Sequence, residues 1–322
     1  MVTDPHPYRA ALLGGLAVGA GLLGYALLEA RSPILRHVDV PVLAADEQPL
    51  TILHLSDLHL TDRTEARVAW VRSLAGTRPD AVINTGDNLS FANGLEPLGR
   101  ALAPFAHLPG AFVMGDHDYR TTVFKLPTRY LRRDPRSGDD PEREAAIEPL
   151  PWREVRDLQT AAGWVDLTNA RGRLTVSGRR IDLVGVDDPH VDRDAFPSPA
   201  PPADDAAVVR DFTGRPLRLG LMHAPYRRVL DAMADDGAGL AFAGHTHGGQ
   251  LCLPGYGALV TNCDLDRHRV SGLSRWPDVE PGGEPKTQMF LHVSAGLGTS
   301  PYTPVRMACR PEATLLTLLP VR

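Results

Sequence analysis

Asp57 and His59 stand two residues apart, and so do His245 and His247. On an extended segment, residues i and i+2 point to one side, so each pair can present two ligand atoms to one cation. Asp87 follows Gly86, and glycine lets the backbone turn sharply and approach a ligand. Asp116 and His223 complete the set. Carboxylate oxygens and imidazole nitrogens suit Mn, Fe, Zn or Mg, and no Cys lies in these motifs to supply a thiolate. Taken singly the motifs are weak, because Asp and His are common in polar loops and His is often structural. Their joint arrangement is informative, since each follows directly on an apolar run.

Those runs are the elements that must position the ligands. Leu50–Leu55 leads into Ser56-Asp57-Leu58-His59, Ala81–Asn84 into Gly86-Asp87-Asn88, and Ala111–Met114 into Gly115-Asp116-His117-Asp118. Leu217–Met222 leads into His223, and Leu240–Ala243 into Gly244-His245-Thr246-His247. Between strands, Glu65–Leu74 has helical periodicity, as does Leu95–Phe105 within the limits set by Pro97 and Pro104; Trp152–Ala162 is amphipathic. Alternating strands and helices with short loops predict an α/β architecture. Open α/β sheets place their sites just past the strand C-termini, where these ligand-type residues fall. Arg179–Val186, Met289–Ser294 and Ala313–Leu319 are further strands, whereas Arg132–Glu144 is a charge run and Phe196–Asp204 a Pro-rich loop. Trp164, Trp276 and Phe290 are core residues.

The order DxH, GD, GDHD, an isolated His and GHTH resembles that of the calcineurin-like metallophosphoesterase superfamily, whose third motif is GNHD or GNHE. The likeness runs from about residue 50 to 319. HLSDLHL (54–60), AGHTHGGQ (243–250), SAGLGTS (294–300) and RPE (310–312) resemble its membrane-associated bacterial branch. The resemblance implies a four-layer α/β/β/α sandwich with two divalent metal ions in the cleft at the sheet edges. Asp57, His59 and His247 would then hold one ion, Asp87 would bridge both, and position 116, His223 and His245 would hold the second. Two cations about 3.5–4 Å apart can share a hydroxide and offset charge on the attacking and leaving oxygens. His117 would stand near the leaving-group oxygen, able to donate a proton or to hydrogen-bond a phosphoryl oxygen. Asp118, the acid after it, would fix the imidazole tautomer. One position departs from the pattern: Asp116 stands where the family has Asn. A second-site carboxylate adds negative charge, which softens Lewis acidity and repels an anionic substrate. Asn88 is a weaker candidate for substrate contact, with a turn role as the alternative. Asp187, Asp188 and His190 fit either a pocket or a turn, and Gly248-Gly249 a tight turn beneath the metals.

The 34 basic and 39 acidic residues leave a net charge of −5, which argues against a nucleic-acid partner. Three cysteines, Cys252, Cys263 and Cys309, with no CxxC pair, indicate neither a disulfide framework nor a thiolate zinc site. Ala10–Leu28 carries no charge and nearly covers a hydrocarbon core of about 30 Å, although ten of its residues are Gly or Ala. A single-pass membrane anchor is favoured; a cleaved signal peptide and a helix of a soluble protein are the alternatives. No Arg-Arg pair precedes it. Arg9 before the stretch against Arg31 and Arg36 after it leans toward a cytoplasmic main domain. The expected organisation is therefore an anchor over 1–30, a connector over 31–49 marked by Pro33 and Pro41, and a metallophosphoesterase domain over 50–322. The expected function is hydrolysis of a phosphodiester or pyrophosphate bond, with an anchor that suits a lipid-linked substrate. Similar proteins include hydrolases of a nucleotide-linked diacyl-glucosamine. A nucleotide or phosphoprotein substrate, or a catalytically weak metal-binding membrane protein, are the other readings.

Overall fold

The computed structural model describes residues 6–124, 147–199, 207–277 and 288–321. The charge run at 132–144 lies outside them. One sheet contains β1 (Ile34–Leu43), β2 (Leu50–Leu55), β3 (Ala81–Asn84), β4 (Gly110–Phe112), β5 (Val165–Asp166) and the last strand, β14 (Glu312–Pro320). Their spatial order is β1-β14-β2-β3-β4-β5, with β2 to β5 parallel and β14 antiparallel to β2. The second sheet contains β6 (Ala170–Val176), β7 (Arg179–Gly185), β8 (Arg218–Leu221), β9 (Leu240–Ala243), β12 (Gly272–Trp276) and β13 (Met289–Val293), in the order β12-β13-β9-β8-β7-β6. A small hairpin, β10 (Cys252–Leu253) and β11 (Gly257–Ala258), follows the GHTH motif.

Alternation along the strands stacks four layers. Ile52, Ile83 and Ala111 of the first sheet meet Leu219, Leu240 and Phe242 of the second in one core between the sheets. The intervening Leu53, Leu55, Val82 and Phe112 face the other way, onto Val68 and Val71 of α2 (Glu65–Ser73), Leu98 and Ala101 of α3 (Leu95–Leu102) and Val155 of the helix Trp152–Ala161. On the far face of the second sheet, Ala241, Leu291 and Val293 pack against Val229, Leu230 and Met233 of the helix Arg227–Asp235. The α/β/β/α sandwich is thus built as expected, and Trp164, Trp276 and Phe290 are buried in it.

The stretch expected as a connector is different. β1 pairs along its length with β14, so residues 34–43 form the edge of the first sheet. Pro41 breaks a helix but is tolerated on an edge strand, where its missing N–H faces solvent. The edge strand β6 was not anticipated either. Its signal is the Ser177-Gly178 turn into β7, with both residues at positive φ, the geometry of a tight hairpin.

At the N-terminus, α1 (His6–Glu29) is exposed around its circumference from Ala11 to Leu23. Only 6% of its apolar window, Ala11–Glu29, is buried. Its last turn docks: Ala26, Glu29 and Ala30 are buried, and the Glu29 carboxylate accepts hydrogen bonds from the amides of Cys309 (2.6 Å) and Ala308 (3.2 Å).

Candidate metal centre

The loops past β2, β3 and β4 meet those past β7, β8 and β9 at one end of the sandwich. Two groups of side chains there bring ligand atoms within 4.8 Å of one another: Asp57 with His59 and His247, and Asp57 with Asp87 and His223. Asp57 belongs to both groups. Asp87 Oδ2 lies 3.3 Å from His223 Nε2 and 3.6 Å from His59 Nε2, between a histidine of each group.

These ligands are not carried on extended backbone. Asp57, His59, Asp87, His245 and His247 all have φ between +43° and +67°. Left-handed backbone costs a non-glycine residue on the order of 1 kcal/mol, and such residues persist where their surroundings hold them. Here Asp57 N donates to Gly86 O (2.9 Å), His59 N to Asp87 O (3.0 Å), and His245 N to the Asp57 carboxylate (3.1 Å). Close packing leaves no room for side chains beneath. A Cβ on Gly115 would lie 2.3 Å from Asp87 Oδ1, and one on Gly296 2.6 Å from the Asp57 Cβ.

The donor set fits a divalent cation. His59 Nε2 and His223 Nε2 are buried without a hydrogen-bond partner, beside two buried carboxylates. Nδ1 of His223 contacts the Thr85 carbonyl at 2.7 Å, which makes Nδ1 an N–H and aims Nε2 at Asp87. Burial pushes the ring down, but the Asp87 and Asp188 carboxylates outweigh it and hold it well above its usual range, so a cation at Nε2 would displace a proton. His245 Nε2 lies 3.1 Å from both the Asn262 carbonyl and the Asn262 side-chain nitrogen, which hold its ring in place. Burial pushes His59 far down, His245 to about 4 and His247 to about 3, Arg306 adding to the effect at His247, so all three rings are neutral. Burial raises the Asp57 carboxyl. At Asp87 burial pushes the same way but is outweighed by the His223 and His117 imidazoles, which hold the carboxyl well below its usual range.

Other expected residues fall differently. His245 lies beside the centre, its ring 5.2 Å from that of His223, but in neither group. Asp116 is in neither group because its Oδ1 is paired with Arg120, 2.6 Å from Nη2 and 2.7 Å from Nε. Asp118 does not hold the His117 ring. Its two oxygens accept from the amides of Asn88 (2.8 Å), Asp87 (2.9 Å) and Gly115 (3.0 Å), which clamps the ligand loops together, and burial raises it to about 6. His117 Nδ1 is instead 3.1 Å from Thr122 Oγ1. Asn88 has no exposed surface with which to touch a substrate; its Oδ1 accepts from Asn84 at 2.8 Å. His190 stacks near His245, with ring centroids 4.3 Å apart, and contacts the Tyr226 hydroxyl at 3.1 Å. Asp188 is buried, accepts from the Asp116 and His190 amides, and is pushed up to about 7 by burial.

Two features had no signal in the spacing. Arg306 is fully buried, and its guanidinium donates to the carbonyls of Ala295 (2.7 Å), Gly298 (2.7 Å), Gly296 (3.0 Å) and His247 (3.3 Å). Beneath Asp57, a buried chain of contacts runs from Ser56 through Thr85 and His54 to His292, linking the two sheets.

Comparison with known proteins agrees with this geometry. The model of the calcineurin-like phosphoesterase family matches residues 50–249. The uncharacterized metallophosphoesterase YkuE of Bacillus subtilis (strain 168) is 25% identical over 281 residues, covering 83% of this chain and 78% of YkuE. The phosphodiesterase YaeI of Escherichia coli (strain K12) is 26% identical over 276 residues, covering 84% and 83%. Among solved structures, TT1561 of Thermus thermophilus aligns with 78% of this chain and 91% of its own, at a TM-score of 0.39 and 14% identity. With a family match over most of the sandwich and a donor set that suits divalent cations, the chain belongs to the calcineurin-like phosphoesterases and is a metal-dependent phosphoester hydrolase.

Proposed function

We propose that the chain hydrolyses a phosphodiester or pyrophosphate bond with two divalent cations, of the Mn, Fe, Zn or Mg class, and that it does so as a single-pass membrane protein. The observation that carries the two-cation reading is the pair of orphaned imidazole nitrogens, one in each ligand group, on either side of Asp87. Asp57, His59 and His247 would hold one ion and Asp87 and His223 the other, with Asp87 between them and His245 alongside. When bound, such cations polarise phosphoryl oxygens and activate water. The chain's own contribution is positional. Asp118 locks the backbone of residues 87, 88 and 115, and Asp87 Oδ1 accepts from His117 N at 2.8 Å, fixing where that residue begins. With Nδ1 engaged by Thr122, Nε2 of His117 is the atom left to meet a leaving-group oxygen. The phosphodiesterase name of the E. coli relative supports a diester.

An apolar helix exposed on every side over residues 11–23 supports a membrane span, since lipid is the solvent that suits such a surface. Its docked end, bonded through Glu29 to residues 308 and 309, favours a retained anchor over a cleaved leader. Two arginines after the span against one before favour the cytoplasmic face.

The test is hydrolysis of bis(p-nitrophenyl) phosphate by the full chain in detergent with Mn²⁺. Turnover should vanish with a chelator and return with the metal; turnover indifferent to chelation would overturn the reading. Nothing shorter than a chain beginning before Ile34 is suitable, because β1 is part of the sheet.

Because the Asp116 carboxylate is spent on Arg120, Asp116→Asn should preserve or raise turnover on the same substrate and leave metal occupancy unchanged. Loss of bound metal, measured by elemental analysis, would show that Asp116 is a ligand after all.

A further inference from the structure

Among the described residues outside α1, six large apolar side chains are between 38% and 53% exposed: Leu251, Leu253, Tyr256, Leu259, Tyr302 and Phe124. Four belong to the hairpin that leaves the metal centre directly after His247, and Leu251 and Leu259 are joined across it by a backbone bond of 3.1 Å. The other two form a ring cluster, Tyr302 lying 5.9 Å from Phe124 and 6.4 Å from Phe91. A cleft of about 450 Å³ runs beside this cluster and reaches His59. Phe91, Pro301 and Pro304 form its apolar wall, and the rest of its lining is polar, including Asp62, Arg63 and Arg67, which suits a headgroup phosphate rather than an acyl chain.

The loop from Thr299 to Cys309 ties these parts to the span. Its Thr299, Pro301 and Pro304 wall the cleft. Its Arg306 amide donates to Ala26 O of α1 at 3.0 Å, and Met307 O accepts from the Cys252 amide of the hairpin at 2.8 Å. The contact with the span and the contact with the apolar hairpin thus fall on adjacent residues. Exposed Tyr25 and Leu28 lie in the last turns of α1, at the level where it meets the domain. Arg267 stacks over Tyr256 at 4.3 Å, adding a cation to the apolar tip, as interfacial segments on anionic lipid do.

Resting on the anchored-hydrolase reading above, we infer that the hairpin Leu251–Leu259, with Tyr302 and Phe124, sits in the headgroup and acyl boundary of the bilayer that α1 crosses. The cleft beside His59 opens onto that boundary. The substrate class is therefore an amphiphile: a phosphoester whose phosphate reaches the metal centre while its acyl chains stay against Phe91, Tyr302 and Phe124 and in the lipid.

The test uses the full chain reconstituted in vesicles of phosphatidylcholine and phosphatidylglycerol. Tyr256→Trp places a fluorophore on the hairpin; Asp46→Trp, before the start of β2 at the opposite end of the sandwich, is the control. Brominated acyl chains should quench the emission added at 256 by at least about twice as much as that added at 46. Equal quenching would overturn the docking surface. Two aryl phosphodiesters with the same scissile bond are then compared, bis(p-nitrophenyl) phosphate in water and the p-nitrophenyl ester of a diacyl phosphatidic acid in the vesicle. Combined Leu253→Ser, Tyr256→Ser and Leu259→Ser should lower kcat/KM for the lipid substrate about tenfold or more and move the soluble one by less than about twofold. An equal effect on both substrates, whatever its size, would overturn the lateral route. Failure of the hydrolase reading has a different signature: wild-type protein inert to both diesters, with quenching at 256 intact.

Discussion

Asp87→Ala is expected to lower phosphodiester turnover by roughly a thousandfold or more while leaving the chain folded. The Asp87 Oδ2 atom sits between His223 and His59, at 3.3 and 3.6 Å, so its removal deletes a carboxylate flanked by a histidine of each group. It also frees the His117 amide from Oδ1, so two parts of the site are lost together. The fold should survive. The residue lies on a loop past β3 whose backbone is still held by Asp118, and deleting the carboxylate relieves its repulsion of buried Asp57. Asp87→Asn separates charge from geometry: it keeps an acceptor for His117 and loses the anion, and should lose nearly as much activity. Residual turnover within about tenfold of wild type would remove Asp87 from the centre of the site.

Arg306→Ala is expected to cost about 3–5 kcal/mol of stability, because four carbonyls would lose their donor in a space closed to water. Thermal denaturation should show a fall in Tm of roughly 10 °C for a domain of this size. The same carbonyls fix the loop of residues 295–298 over Asp57 and the backbone at His247, so Mn²⁺ affinity should fall even below the new Tm. That second readout separates positioning of the centre from general stability. Arg306→Lys should recover little, since an ammonium lacks the planar fork that reaches several carbonyls at once. A shift in Tm under about 2 °C would mean that the carbonyls find other partners.

The sandwich and the meeting of its loops were readable in the sequence because both rest on local pattern. Apolar runs such as Ala81–Asn84 and Leu240–Ala243 became strands, and the ligand-type residues after them gathered at one end. The reasoning that Asp57 and His59 share a side of an extended segment reached the right grouping through the wrong backbone, since both are left-handed. The acid after His117 was misplaced because adjacency in sequence does not say which amides a carboxylate will find; Asp118 found two on the loop past β3 and one on its own. Arg306 and the His54–His292 contact were invisible for a related reason. Arg306 acts on His247, 59 residues before it, and His54 meets a partner 238 residues away, so only the assembled sheets define them. A lone Arg or His in a polar or apolar run carries no mark of such a role.

The last strand has a consequence for how the molecule is made. β14 is inserted between β1 and β2, the first two strands of the chain. Until residue 320 has left the ribosome, β1 has only the bridge from Leu43 to Asp211 and β2 has only β3, and Val40, Val42 and Ile52 have only part of their core. At common elongation rates of about 5–20 residues per second, that wait lasts tens of seconds. The first sheet therefore closes only once β14 has been made, and a chain cut short before Glu312 would lack the strand that joins β1 to β2.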